Sequence, residues 1–445
     1  MPAKARLCAY AVLRRVFERG AYADRALHAE ARALDARDRA LAMRLAYGAV
    51  QRRGTLDYLI ERLAERPVAR LDPPVLAALR LGMYELLYLD GAPDHAVVAD
   101  AVELAKTSGR GGHGLVNAVL RRATREGRAL LDALDDRTPE HAAVLHSHPP
   151  WLARMWWQDL GPQDARALMA YDNEPGEVAL RANTLVTDAA ALARELPVAT
   201  HTDPQLPEAL VLDGPFDAHA SPLWASGAFL AQSRAAMLVA HALDPQPGER
   251  VLDLCAAPGG KSTHIAALIQ AQIQTDGQVQ ANSQGRVDDQ AQGEVVAVER
   301  NPRRAAELQQ TAKRLHATSI RVELADAALP RQHEAPFDRV LVDPPCSGLG
   351  TLQARADLRW RVTPQSIAEM TRVQAAILDA GAQELRPGGV LVYSTCTISP
   401  SENEQQVASF LESHPEFAAA DEGPVMTLPH RDHTAGFFIA RLRRS

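Results

Sequence analysis

Long apolar runs are missing from this sequence. No stretch of eighteen or more apolar residues occurs, so no membrane-spanning helix is expected. The opening MPAKARLCAYAVLRRVFERG interleaves arginines with apolar residues at helical spacing, the mark of a first folded helix rather than of a secretory leader. Cysteine is scarce too. Cys8, Cys255, Cys346 and Cys396 are widely spaced with no Cys-x-x-Cys pair, which argues against a disulfide framework and a structural zinc site. No metal ligand set is expected, and a reducing cytoplasm suits the thiols. Lysine is rarer still against its partner arginine: only Lys4, Lys106, Lys261 and Lys313 among 48 basic residues. Where arginine is so favoured, a lysine hints at a place that a guanidinium would not serve. The net charge of −7 gives no global pull towards nucleic acid, but local basic patches are what touch phosphates.

What is present divides the chain. A length of 445 residues implies two or three domains. Residues 1–130 read as helices, with stripes at Leu7, Tyr10, Leu13 and Phe17, at Leu76, Leu79, Met83, Leu86 and Leu87, and at Leu115, Val116, Val119 and Leu120. DPPVLAALRLGMYELLYL carries proline in its first turn, a start signal. Arg121, Arg122, Arg125 and Arg128 cluster at a helix end, as a solvated face or an RNA-facing patch. Residues 131–148 form a polar connector. The tryptophans Trp151, Trp156 and Trp157 are expected in a core rather than stacked on bases. VALRANTL, residues 178–185, reads as a strand in which Arg181 and Asn183 alternate with apolar positions, and 200–228 as short strands and turns. The expected division is 1–130, 131–228 and 229–445.

From residue 229 strands and helices alternate. FLAQSRAAMLVAHAL is expected as a helix, ERVLDLCAAPGGKSTHIAALI as strand, glycine-rich turn and helix, and EVVAVERNPRRAAELQQTAKRL as strand and helix. IRVELADA, FDRVLVDPP and GGVLVYSTC supply further strands. This rhythm specifies an α/β domain with a parallel, doubly wound sheet. The Gln-rich segment 271–293 reads as a mobile surface insertion.

In such sheets ligands bind beyond the carboxyl ends of the strands. The turn from Cys255 through Ala256, Ala257, Pro258, Gly259 and Gly260 to Lys261 lies at that edge, with small residues that let a ligand approach the backbone. A P-loop would need glycine where Cys255 stands, and no G-x-G-x-x-G is present. S-adenosylmethionine is the third reading. Glu299 ends one strand, where a carboxylate can accept both ribose hydroxyls; Asp326 ends the next, facing an adenine edge; Asp343 ends a third. Any one acid could be a helix cap, but three in one sheet favour a ligand.

Cys346 and Cys396 also follow strands. DPPC resembles the Asp/Asn-Pro-Pro-aromatic turn of exocyclic-amine methyltransferases, with Cys346 in the aromatic position. Carbon 5 of cytosine is a poor nucleophile until a thiolate adds to carbon 6 and makes the ring an enamine. Cysteine suits that addition because its pKa of about 8.5 leaves useful thiolate near neutrality. Ring nitrogen N3 then needs a proton or a strong hydrogen bond, a task for Asp343. The residues alone leave open which thiol attacks. Rival readings are a DNA or exocyclic-amine methyltransferase and a non-catalytic RNA-binding factor.

DLCAAPGGKSTH, LVDPPCSGLGT and VYSTCTISPSENE closely resemble the Sun-family RNA cytosine-C5 methyltransferases, and LRANTL resembles an upstream motif of that family. DRALAMRLAYGAVQRR, LRLGMYELLYL, DHAVVADAVELAK and LVNAVLRR resemble a NusB-type RNA-binding domain. The combination is similar to RsmB-type small-subunit enzymes. The resemblance implies a Rossmann-like methyltransferase domain after an all-α NusB-like domain and a small α+β subdomain. It implies a monomer acting on 16S ribosomal RNA, free or in a partly assembled subunit, with S-adenosylmethionine as cofactor. It further implies that Cys396 attacks, that Cys346 assists release, that Lys261 orients the catalytic side, and that Cys255 to Lys261, Glu299, Asp326 and Asp343 hold the cofactor. Glu299 stands where aspartate is commoner in the family.

Overall fold

The computed structural model describes residues 2–107, 109, 111–275, 293–329, 335–420 and 422–445. Most of the Gln-rich segment therefore lies outside the described residues. Two compact units emerge: Met1–Pro175 with Leu352–Arg361, and Gly176–Thr351 with Val362–Ser445.

The first unit is helical. Its opening helix, Lys4–Arg19, buries Ala5, Cys8, Ala9, Tyr10, Val12, Leu13 and Val16. Leu7, expected on that stripe, is instead exposed, because alanines and valines fill the tighter contacts with the neighbouring helices. Cys8 is a small buried hydrophobe, its usual role. Pro73 begins the helix Pro73–Tyr88, which is buried on nearly every side. The arginine cluster is tied down in part: Arg122 donates to the Leu63 carbonyl at 2.9 Å and Arg128 to the Leu87 carbonyl at 2.8 Å. Trp156 is fully buried, as core. The segment Leu352–Arg361 packs within this unit through buried Arg359, which donates to the carbonyls of Ser147 and Asp172 at 3.1 Å, and through Trp360, which donates to the Val50 carbonyl at 2.7 Å.

The second unit holds two sheets. The smaller is antiparallel in the order β2-β3-β1-β4, from β1 (Ala179–Ala182), β2 (Thr200–Asp203), β3 (Leu206–Leu212) and β4 (Phe229–Ala231). Phe229–Ala231 therefore pairs with β1 instead of starting a helix. Helix Arg234–Leu243 begins only after Ser233, whose hydroxyl caps the amide of Ala236.

The larger sheet comprises β5 (Arg250–Asp253), β6 (Glu294–Glu299), β7 (Ile320–Leu324), β8 (Phe337–Val342), β9 (Leu385–Thr395), β10 (Phe417–Ala419), β11 (Val425–Thr427) and β12 (Phe437–Arg444). Its order is β10-β12-β9-β8-β5-β6-β7, parallel from β9 to β7 and antiparallel where β12 joins β9. Leu252, Val296, Val340, Leu391 and Tyr393 fill one face; Val251, Val295, Leu341, Val390 and Val392 fill the other. Burial on both faces explains why these strands read as unbroken apolar runs. The parallel strands all end at one edge, and the residues that follow them form the site.

Candidate active site

Four acids line that edge in sheet order: Asp343 after β8, Asp253 ending β5, Glu299 ending β6 and Asp326 just beyond β7. Asp253 was not singled out from the sequence. It is fully buried, accepts from the Ser262 hydroxyl at 2.6 Å, and burial pushes its carboxyl up to about 6 with Asp343 adding to the effect. It thereby fixes the start of helix Gly260–Thr275 to β5.

The glycine-rich turn is shaped for close approach. Gly259 has φ +102°, and a β-carbon there would stand 2.6 Å from the Leu308 side chain. Ala256 and Ala257 are buried, Pro258 is exposed, and burial pushes the Cys255 thiol up, so it stays protonated. Arg181, fully buried on β1, holds the turn from behind by donating to the Gly260 carbonyl, the Thr263 hydroxyl and the Gln232 side chain. Asn183 donates to the carbonyls of Gly227 and Leu315, each at 2.9 Å. The alternation seen in LRANTL thus marks internal ties of the second unit.

Where β6 and β7 end, a cleft of about 540 Å³ is lined by Arg300, Asn301, Pro302, Leu324, Ala325 and Asp326. Leu324 is 58% exposed although it ends a strand, so the cleft offers an apolar wall next to a carboxylate. Glu299 is buried, with one oxygen accepting from the Asn301 amide at 2.8 Å and the other 3.3 Å from Arg304. An apolar wall beside a carboxylate, with a second carboxylate one strand away, is a lining of the chemical kind that receives a nucleoside.

The two thiols meet. Cys346 and Cys396 lie with their sulfurs 3.4 Å apart, both half-buried. The neighbouring Cys396 sulfur and burial push the Cys346 thiol up, so Cys346 keeps its proton. Lys261 donates to Asp343 at 2.7 Å, and the Ser394 hydroxyl donates to the other Asp343 oxygen at 2.8 Å. Burial pulls the Lys261 ammonium down, and the charge and hydrogen bond of Asp343, with Cys396 and Asp253 behind them, hold it above its ordinary value.

A buried network that sequence reading missed fixes both thiol loops. Glu402, fully buried, accepts from the amide of Ser347 at 2.9 Å, from its hydroxyl, and from Gln374 at 3.0 Å. Ser347 and Thr397, the residues after each cysteine, share a 2.6 Å hydroxyl contact, and Asn403 donates to the Thr397 carbonyl at 2.9 Å. Gly350 donates to the Cys396 carbonyl and accepts from Gly436, where a β-carbon would fall 2.0 Å from the Gly436 oxygen. SENE held the clue, since a carboxylate between polar residues directly after a thiol strand has nowhere to go but inward or into water.

Residues 240–443 match the family model described as 16S rRNA methyltransferase RsmB/F, residues 3–125 match the NusB family, and 148–219 match a Methyltr_RsmF/B-like ferredoxin-like domain. A probable ribosomal RNA small subunit methyltransferase B from Synechocystis sp. is 37% identical, with 99% of each chain covered. One from Bacillus subtilis is 32% identical over 92% of each. Among solved structures, that of PH0851 is 24% identical with TM-score 0.79, covering 100% of this chain and 99% of its own, which shows the fold. A methyltransferase homolog from Pyrococcus horikoshii is 25% identical with TM-score 0.57, covering 69% and 99%.

Proposed function

Because the chain belongs to the RsmB/F family of S-adenosylmethionine-dependent ribosomal RNA methyltransferases, we propose that it methylates carbon 5 of a cytidine in 16S ribosomal RNA through a transient bond to Cys396. The observation that carries this reading is the pair of sulfurs 3.4 Å apart at the mouth of the parallel strands, beside the Lys261–Asp343 ion pair. One thiol there is enough for a buried hydrophobe's role; two in contact, on loops fixed by a buried carboxylate, suit covalent catalysis.

Cys396 adds through sulfur to carbon 6 of the pyrimidine, and Asp343 relays the thiol proton towards N3, where charge develops. Lys261 keeps the Asp343 carboxyl in place and lowers the cost of thiolate at position 396. S-adenosylmethionine supplies the electrophilic methyl group that the enamine carbon takes up. Cys346 gives its proton to the departing Cys396 sulfur and takes up the carbon 5 proton in its place as the carbon–sulfur bond breaks, while N3 returns its proton through Asp343 to water. The cofactor would be held by the turn Cys255 to Lys261, with Glu299 at the ribose, Asp326 at the adenine edge and Asp343 near the methyl group. Residues 1–130 and 131–228 are assigned to RNA contact and 229–445 to chemistry, in a monomeric enzyme acting on free or partly assembled 16S RNA.

Nucleoside analysis of 16S RNA methylated by the purified protein tests the reading. 5-Methylcytosine is the expected product; an N4-methylated cytosine or a methylated purine would overturn it.

A further inference from the structure

Away from the reaction path, three side chains from three elements converge. Glu208 lies on β3, His241 on helix Arg234–Leu243, and His264 on helix Gly260–Thr275. Each offers one ligand atom, and the three atoms lie within 4.8 Å of one another, a grouping found here among the described residues. The Glu208 Oε1 is 2.8 Å from His241 Nε2 and 2.9 Å from His264 Nε2, and the two rings meet edge to face at 5.3 Å. Glu208 and His264 are buried, while His241 is a third exposed, which leaves an entry path.

The geometry at His264 is the informative part. Its Nε2 lies 2.9 Å from the Glu208 carboxylate, and among the described residues neither ring nitrogen has a partner at hydrogen-bond geometry. A buried imidazole normally satisfies both nitrogens, one as donor and one as acceptor. Two imidazole nitrogens and a carboxylate oxygen gathered within 4.8 Å of one another are a donor set that a divalent cation accepts.

We propose that Glu208, His241 and His264 bind a zinc-class divalent cation that clips the small antiparallel sheet to the helix carrying Lys261. Two imidazoles and one carboxylate select zinc, cobalt or nickel over magnesium or calcium, which favour all-oxygen shells. Three protein ligands leave a fourth position on the side of His241 for water. His264 stands three residues after Lys261 on the same helix, so the clip and the Arg181 bonds to Gly260 and Thr263 brace one turn from two directions. Sequence spacing hid the cluster, because its members stand at 208, 241 and 264 and meet only when β3 packs against both helices.

Cobalt(II) titration of the full, chelator-stripped chain tests this by visible absorption, with zinc competition and the melting temperature as second readouts. One equivalent should bind with the weak bands of a nitrogen–oxygen ligand set, be displaced by zinc, and raise the melting temperature. His241→Ala should abolish that equivalent, while the Cys346→Ser, Cys396→Ser double variant should keep it. Failure of the folded wild-type chain to bind a stoichiometric equivalent overturns the proposal. So do equal binding by wild type and a folded His241→Ala, and an intense thiolate band that disappears with the cysteines. If His241→Ala does not fold, the wild-type and double-cysteine titrations still decide.

Discussion

The thiol end of the site and its cofactor rim are built on opposite plans. At the thiol end, Ser347, Gln374, Thr397, Glu402 and Asn403 are all buried and all hydrogen-bonded to one another or to the thiol loops. At the rim, Leu324 lies open and Asp326 borders a wide cleft. The proposed covalent step asks for sulfur placed to within fractions of an ångström, and buried polar groups hold the thiol loops there. A cofactor that must enter and leave after each turnover demands surfaces left open until it arrives. Reaction geometry is fixed by the protein; binding geometry is completed by the ligand.

Substitutions at the two ends should therefore fail differently. The largest effect is expected from Cys396→Ala, which removes the attacking sulfur: methyl transfer in a single-turnover assay should fall by roughly 10⁴- to 10⁶-fold, the range for loss of a nucleophile. Next comes Glu402→Gln, which leaves the Ser347 hydroxyl and amide contending for a neutral acceptor. It should lower kcat more than it raises the KM for cofactor, and cost on the order of 1–3 kcal/mol in urea melts. At the rim, Glu299→Gln should weaken cofactor binding about tenfold by calorimetry and Asp326→Ala less, both with kcat little changed. A kcat collapse in either rim variant would erase the contrast between the two ends.

The last effect is one of pH, and it falls on stability rather than on methyl transfer. The Asp253 carboxyl titrates at about 6 in the folded chain and near 3.9 when unfolded. Between those values the folded state holds more protons, so this group makes stability fall as pH rises through that window and level off above it. The loss is about 3 kcal/mol at roughly 1.4 kcal/mol per tenfold change in protonation. Asp253→Asn should flatten that slope in melts between about pH 4 and pH 7; an unchanged slope would show that Asp253 is not the group responsible.

Much of this was legible in the sequence, and what was not shares a cause. The strand-end positions of Glu299, Asp326, Asp343, Cys346 and Cys396 follow from period and punctuation, because parallel strands present their ends to one edge. The 3.4 Å meeting of the two sulfurs does not follow, since fifty residues of helix and strand separate them and only the β8–β9 register brings them level. Arg181 was visible as a polar residue in a strand, but its partners lie about eighty residues away on the glycine-rich turn. The strand at Phe229–Ala231 was read as helix because its alanine-rich continuation is helical, and β4 exists only through pairing with β1. Leu352–Arg361 follows the Cys346 loop in sequence yet packs with the helical unit, a choice made by the buried Arg359 and by Trp360. Local pattern fixes elements; contacts distant in sequence decide what each polar residue is for.

On the proposed route the sulfur at 396 bonds to the base while its neighbour at 346 lets the base go. Mixing Cys346→Ala with 16S RNA and S-adenosylmethionine, then running a denaturing gel, asks this directly. A band of protein bound covalently to RNA from Cys346→Ala, absent from Cys396→Ala and from the double variant, is the predicted result. A covalent band from Cys396→Ala would contradict it.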